Sequence, residues 1–304
     1  MVDLRAFALT AVTVVALSSA ASAADLLPPP PVVEPPPPMV DMGGWYLRGD
    51  VGVGLNNIQN FSSDASIYRG YSNQFFNSNL SESGIFDAGV GYQVNNWFRG
   101  DITGELRGGS EFSGMQVSNG SSVAAIKNAQ GVSQYADAYR GNLSSAIVMA
   151  NAYFNLGTWY GLSPYVGGGL GVAFNRFSGG SDTGSNNYYN GGFGGSSSSG
   201  GYIGSGTQAN LAWALMAGVD MSITRQLTLE LGYRYLNYGS FKSGRSQCLS
   251  GNIPVGGGSF SCGGNSYQLA SSNLASNDFR IGLRYYLDAP SAPPVYDAPL
   301  VRKY

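Results

Sequence analysis

Between residues 44 and 287, apolar side chains recur at every second position, in eight separate segments. Period two is the geometry of a β-strand, in which successive side chains point to opposite faces. The first segment, 45–56, shows the pattern. Trp45, Leu47, Val51, Val53 and Leu55 share one face, and Tyr46, Arg48, Asp50 and Asn56 share the other. The same alternation returns at 84–94, 97–107, 144–156, 164–177, 208–222, 226–241 and 278–287. A repeat of this kind predicts an all-β chain of eight antiparallel strands, and strands of about ten residues cross a bilayer at a tilt.

The connections fall into two classes. Those after the second, fourth and sixth segments are short, at 95–96, 157–161 and 224–225. Those after the first, third, fifth and seventh are long, at 57–83, 108–143, 178–207 and 242–277. Short turns on one rim and long loops on the other fit an up-and-down transmembrane β-barrel with periplasmic turns and extracellular loops. The apolar faces also end in aromatics, as membrane interfaces favour. Trp45, Trp97, Phe98, Phe154, Trp159 and Tyr285 are expected at the short-turn rim, and Phe174, Phe177, Tyr235 and Phe279 at the other. The alternative is a soluble eight-stranded barrel whose apolar face points inward around a ligand.

Charge patterning carries the next inference. Only 11% of residues are charged, against roughly 25% in soluble domains. Twelve charges fall on the face opposite the apolar one: Arg48, Asp50, Asp87, Arg99, Asp101, Glu105, Arg107, Asp220, Glu230, Arg234, Arg280 and Arg284. Six guanidiniums against six carboxylates suggest mutual pairing, because an unpaired buried charge is costly. Eight strands enclose a lumen that side chains can fill. A plugged ion-pair network is expected, with a narrow conducting pore as the alternative.

The flanks are of other kinds. Residues 1–23 read as a signal peptide: Arg5 in the head, an apolar run at 6–17, and Ala21-Ser22-Ala23 before the cleavage point. That run is too short for a membrane helix, and no stretch of eighteen apolar residues follows it. Residues 24–43 form a linker containing Pro-Pro-Pro-Pro-Val-Val-Glu-Pro-Pro-Pro-Pro at 28–38, which favours extended polyproline II. Residues 288–304 are a second proline-containing tail, and the barrel is expected at 44–287. In an exported chain Cys248 and Cys262 read as a disulfide closing a local loop, with two free thiols as the alternative. The segment 178–207 is Gly, Ser, Asn and Tyr with almost no charge, so a flexible loop is expected there, or a contact surface built on Tyr188, Tyr189, Phe193 and Tyr202.

Chemistry is hard to place in this chain. It has no histidine to serve as general base or metal ligand, and no cysteine placed as a nucleophile. A carboxylate pair such as Asp101 and Glu105 is formally open to acid–base work, but it sits among arginines, which favour two ionised carboxylates. No catalysis, cofactor or metal is expected. A net charge of −2 gives no footprint for nucleic acid.

The opening Trp45-Tyr46-Leu47-Arg48-Gly49, the hairpin at Gly89-Val90-Gly91-Tyr92 and the close Phe279-Arg280-Ile281-Gly282-Leu283-Arg284-Tyr285-Tyr286 resemble the eight-stranded outer-membrane β-barrel family. Within it the likeness is to the opacity-type, "porin family" small surface proteins of alphaproteobacteria. The resemblance bears on the fold more than on a particular function; a structural surface barrel that supports the envelope and contacts lipopolysaccharide is expected, with a low-conductance porin, or an adhesin acting through its loops, as alternatives. It implies insertion by the barrel-assembly machinery, reading Tyr285-Tyr286-Leu287 or the terminal Tyr304. It also implies that the amine of Ala24, next to Asp25, can be joined to peptidoglycan.

Overall fold

In a computed structural model of the protein, the described residues are 43–64, 72–120, 133–190, 193–249, 251–252, 259–260 and 266–287. They form thirteen strands: β1 Gly44–Ser63, β2 Ser72–Leu80, β3 Ser83–Gln93, β4 Phe98–Gly120, β5 Ser133–Asn155, β6 Leu162–Asn190, β7 Phe193–Ile203, β8 Gly206–Ser222, β9 Leu227–Lys242, β10 Ser246–Leu249, β11 Gly251–Asn252, β12 Ser259–Phe260 and β13 Leu269–Tyr286. Eight of them close a ring. β1 pairs with β3, and the order runs on through β4, β5, β6, β8, β9 and β13 back to β1, every pair antiparallel. This is an eight-stranded up-and-down barrel, and each ring strand contains one of the eight alternating segments.

At the short-turn rim the chain turns by local means. Asn95 accepts from the backbone N–H groups of Trp97 and Phe98 through its side chain, and Thr224 does the same for Gln226 and Leu227. The β5–β6 turn takes positive φ at Gly157, Tyr160 and Gly161, conformations that glycine accepts freely. Both ends of the described barrel meet at this rim, where Leu287 N–H donates to the Trp45 carbonyl at 2.9 Å.

The barrel is inside-out relative to a soluble fold over its lower half. Trp45, Leu47, Val51, Val53 and Leu55 are about half exposed on the outer wall, while Arg48 and Asp50 are buried inside. From Trp45 to Leu55 is ten steps, roughly 25 Å of height for tilted strands. Above that belt the polarity inverts. Phe61, Phe112, Leu143, Phe177, Phe241, Leu269 and Leu274 fill the interior, and Glu111, Arg140, Arg176 and Lys242 lie outside. The inversion coincides with bulges. Registers shift between Arg107 and Ser110, Arg140 and Asn142, and Ser271 and Leu274, and Gly109, Gly179 and Gly239 take positive φ. On β4 and β6 one extra residue re-aims every later side chain, whereas β5 keeps its odd positions inward throughout and only the kind of residue placed there changes.

Several expectations change here. The long connections are largely strand: β4 and β5 pair out to Gly120 and Ser133, and 178–207 is a β6–β7 hairpin rather than a flexible loop. The outward apolar face ends below these segments, but the ladder continues above it with apolar residues turned inward. Phe177, expected at the outer rim, is wholly buried. It is an odd step from Phe174 along β6, so the pleat turns it inward. Phe98 and Tyr235 are half-buried, whereas the other expected rim aromatics are exposed. Tyr202 is exposed; the side chains of Tyr188, Tyr189 and Phe193 lie outside the described residues. So do Ala24, Cys262 and the side chain of Cys248, and with them the disulfide and the terminal attachment.

Candidate functional site

The lumen gathers all twelve charges named from the sequence, each less than 9% exposed. Even positions of β1, β8, β9 and β13 and odd positions of β3 and β4 point inward, and that parity sets which residues meet. They form two ion-paired groups.

The lower group turns on Glu230. Its carboxylate accepts from Arg48 at 3.2 Å, Arg284 at 3.3 Å and Arg99 at 3.4 Å, and the Tyr165 hydroxyl donates to it at 2.6 Å. Asp220 joins Arg99 at 2.8 Å and Arg284 at 2.6 Å. Arg48 reaches on to Asp50 at 2.8 Å and Asp101 at 2.9 Å, and Arg280 bridges Asp50 at 3.2 Å and Asp87 at 2.5 Å. Arg99, fully buried, lies between the rings of Tyr153 and Tyr165, with centroids at 4.5 and 4.7 Å. The upper group is a square. Arg107 and Arg234 each contact Glu105 and Asp278, at 2.6–3.1 Å.

Asp101 and Glu105 are therefore not a working pair. Asp101 accepts from Arg48, Tyr46 and Asn151, whereas Glu105 belongs to the square above. Every carboxylate of the network faces at least one guanidinium, an arrangement suited to cross-linking strands rather than moving protons. The charged groups come from β1, β3, β4, β8, β9 and β13, and Asn151 and Tyr153 of β5 and Tyr165 of β6 complete the ring. Inward glycines make the space. A Cβ on Gly282 would stand 2.0 Å from Asp50 Oδ1, and one on Gly91 would stand 2.3 Å from the Tyr46 ring. The void left among Arg48, Asp50, Tyr153, Glu230, Arg234 and Arg280 is ≈ 10 Å³, at the lower limit for one water molecule.

Comparison with known proteins adds kinship. No family model matches the chain. An uncharacterized protein of Brucella melitensis biotype 1 is 31% identical over 206 residues, which is 64% of this chain and 68% of that protein. An uncharacterized protein of Brucella abortus matches to the same extent. This chain belongs to the family of these Brucella proteins. Among solved structures it is similar to Neisserial surface protein A, at 14% identity over 81% of this chain and 99% of that one, with a TM-score of 0.38. It is also similar to the outer membrane protein OprG from Pseudomonas aeruginosa, at 14% identity over 82% and 98%, with a TM-score of 0.42.

For this family member the sequence reading missed two lumen groups. Asp278 is wholly buried; the alternation starts the eighth segment at this residue, but β13 begins nine residues earlier, at Leu269. Its even number, shared with Arg280 and Arg284, was the available signal. Tyr165, an odd neighbour of the outward Val166, carried the same kind of signal. With Asp278 the network holds seven carboxylates and six guanidiniums, a formal charge of −1 when all are ionised. In keeping with spare acceptor capacity, Asp87 Oδ1 and Asp220 Oδ1 accept no hydrogen bond among the described residues.

Proposed function

We propose that the protein is a structural barrel of the Gram-negative outer membrane, of the opacity-type group, with its short turns in the periplasm and its extended strands at the cell surface. The observation that carries this reading is the filled lumen. An ion-pair layer with a ≈ 10 Å³ void lies beneath an aromatic layer in which the Phe177 and Phe241 rings stack at 5.4 Å and Phe112 lies 5.7 Å from Phe241. Such a core supports stability of the wall rather than passage of solutes, and speaks against the porin alternative. Contact with lipopolysaccharide, insertion by the barrel-assembly machinery and attachment of Ala24 to peptidoglycan belong to the same proposal.

Planar-bilayer recording of the purified protein tests it. No discrete conductance steps are expected, and reproducible single-channel steps would overturn the structural reading in favour of the porin. A second reading, adhesion, draws on the strands themselves, since a paired β6–β7 hairpin above the apolar belt presents Tyr202 at 61% exposure. Deleting residues 181–202 and measuring cell attachment separates it from the first.

A further inference from the structure

We infer that the outer wall over β3–β6 holds a seat for a membrane lipid with an anionic phosphate headgroup. The inference rests on the reading that this wall faces lipid. A groove of ≈ 570 Å³ runs there between two ridges, Phe86 with Leu106 on one side and Phe174 on the other. Its floor is low because Gly108, Ser144 and Ala146 supply almost no side chain. The ridges are 67%, 66% and 46% exposed, so the groove opens outward, and Leu106 and Phe174 stand two strand spacings apart across Ala146, about 9.6 Å, which admits an acyl chain.

The groove has a cationic upper end. Arg176 lines it one outward step above Phe174, with Ser144 and Thr207 as its register partners on either side. Arg140 is four residues beyond Ser144 on β5, and exposed on the same wall. The six lumen arginines are all ion-paired, but neither Arg140 nor Arg176 has a carboxylate within ion-pair distance among the described residues. Glu111 stands level with Asn142 on the neighbouring strand and pairs with neither. Two unneutralised guanidiniums at the end of an apolar groove, where the wall changes from apolar to polar, match an amphiphile with its phosphate at that level. The chain lies below, and charge-assisted bonds hold the headgroup.

Native mass spectrometry of the full-length protein in a neutral detergent tests the seat, with folding of each variant checked by heat-modifiability on gels. Phosphatidic acid should be retained about tenfold more strongly than diacylglycerol of the same chains, the worth of about one charge-assisted hydrogen bond. Arg176→Gln with Arg140→Gln should abolish that difference. Gly108→Phe should weaken both lipids, because a Cβ there meets nothing within 4 Å and the ring is free to occupy the groove. Unchanged phosphatidic acid retention in either variant would overturn the proposal. So would inorganic phosphate displacing the lipid at equal concentration, which would mark a free-anion site. Conductance is read separately, so a silent barrel that fails to retain the lipid counts against the seat alone.

Discussion

At the scale of the residue, the lumen is a set of mutual dependencies. Arg234 Nη2 contacts Glu105 at 2.6 Å and Asp278 at 2.7 Å. Arg234→Ala leaves both carboxylates with Arg107 alone, in an interior water barely enters. A loss of about 3–5 kcal/mol is expected, as for other broken buried pairs, read as a lower urea midpoint for the heat-modifiable form. Glycine gives a sharper contrast. Gly282→Ala drives a methyl into an Asp50 carboxylate already fixed by Arg48 and Arg280, and about 1–3 kcal/mol should be lost. Gly104→Ala, whose Cβ would meet nothing within 4 Å, should be nearly silent in the same titration. An equal effect at both positions would show that backbone entropy, not room for the network, sets the requirement for glycine. The inward direction of the twelve charges was legible from parity alone. Which guanidinium meets which carboxylate was not, because partners such as Arg48 and Glu230 lie 182 positions apart and register alone brings them together.

At the scale of the element, the longer strands run through two environments, and the bulges at Gly109 on β4 and Gly179 on β6 and the irregularity at Gly239 on β9 mark the passage. That explains why the eight segments could be read while their upper halves could not. The sequence there still alternates, but apolar residues such as Phe112 and Phe177 have moved to the inward face, and small polar residues dilute the pattern. The upper hairpins have chemistry of their own. Asp182 on β6 accepts from the Tyr267 hydroxyl, and burial pushes its carboxyl above the ordinary carboxylate range, with that hydrogen bond opposing. A raised value means that the folded hairpin binds a proton more tightly than the unfolded chain. Its stability is therefore highest in acid and declines as pH climbs from the usual carboxylate range through the folded-state value. Hydrogen exchange at the amides of β6 and β7, corrected for intrinsic rates, should show stronger protection near about pH 3 than near about pH 8. Asp182→Asn should flatten that dependence and protect the hairpin at the higher pH. A variant with the same slope would place the titrating group elsewhere.

At the scale of the whole molecule, two unlike layers close the same channel in series. The lower layer excludes water by electrostatic packing: the void among Arg48, Asp50, Glu230, Arg234 and Arg280 is ≈ 10 Å³. The upper layer excludes it by aromatic contact among Phe61, Phe112, Phe177 and Phe241. Resistances in series add, so opening one layer should leave the barrel shut. Phe112→Ala with Phe177→Ala removes two of the four rings of the stopper, and the barrel beneath should still insert, because strand pairing and the ion pairs below it are untouched. Such a variant should give no single-channel steps in a planar bilayer. Glu105→Ala with Arg234→Ala thins the lower layer in matched positions, removing one charge of each sign so that the square keeps its balance, and it too should be silent. Only the fourfold variant should conduct. Steps in the phenylalanine variant alone would show that the ion-pair layer is permeable, and steps in the charge variant alone would show the same of the aromatic layer. Silence in a fourfold variant still folded on gels would show that the ion-paired group left intact nearest the short-turn rim, around Arg99, Asp220 and Arg284, closes the barrel by itself.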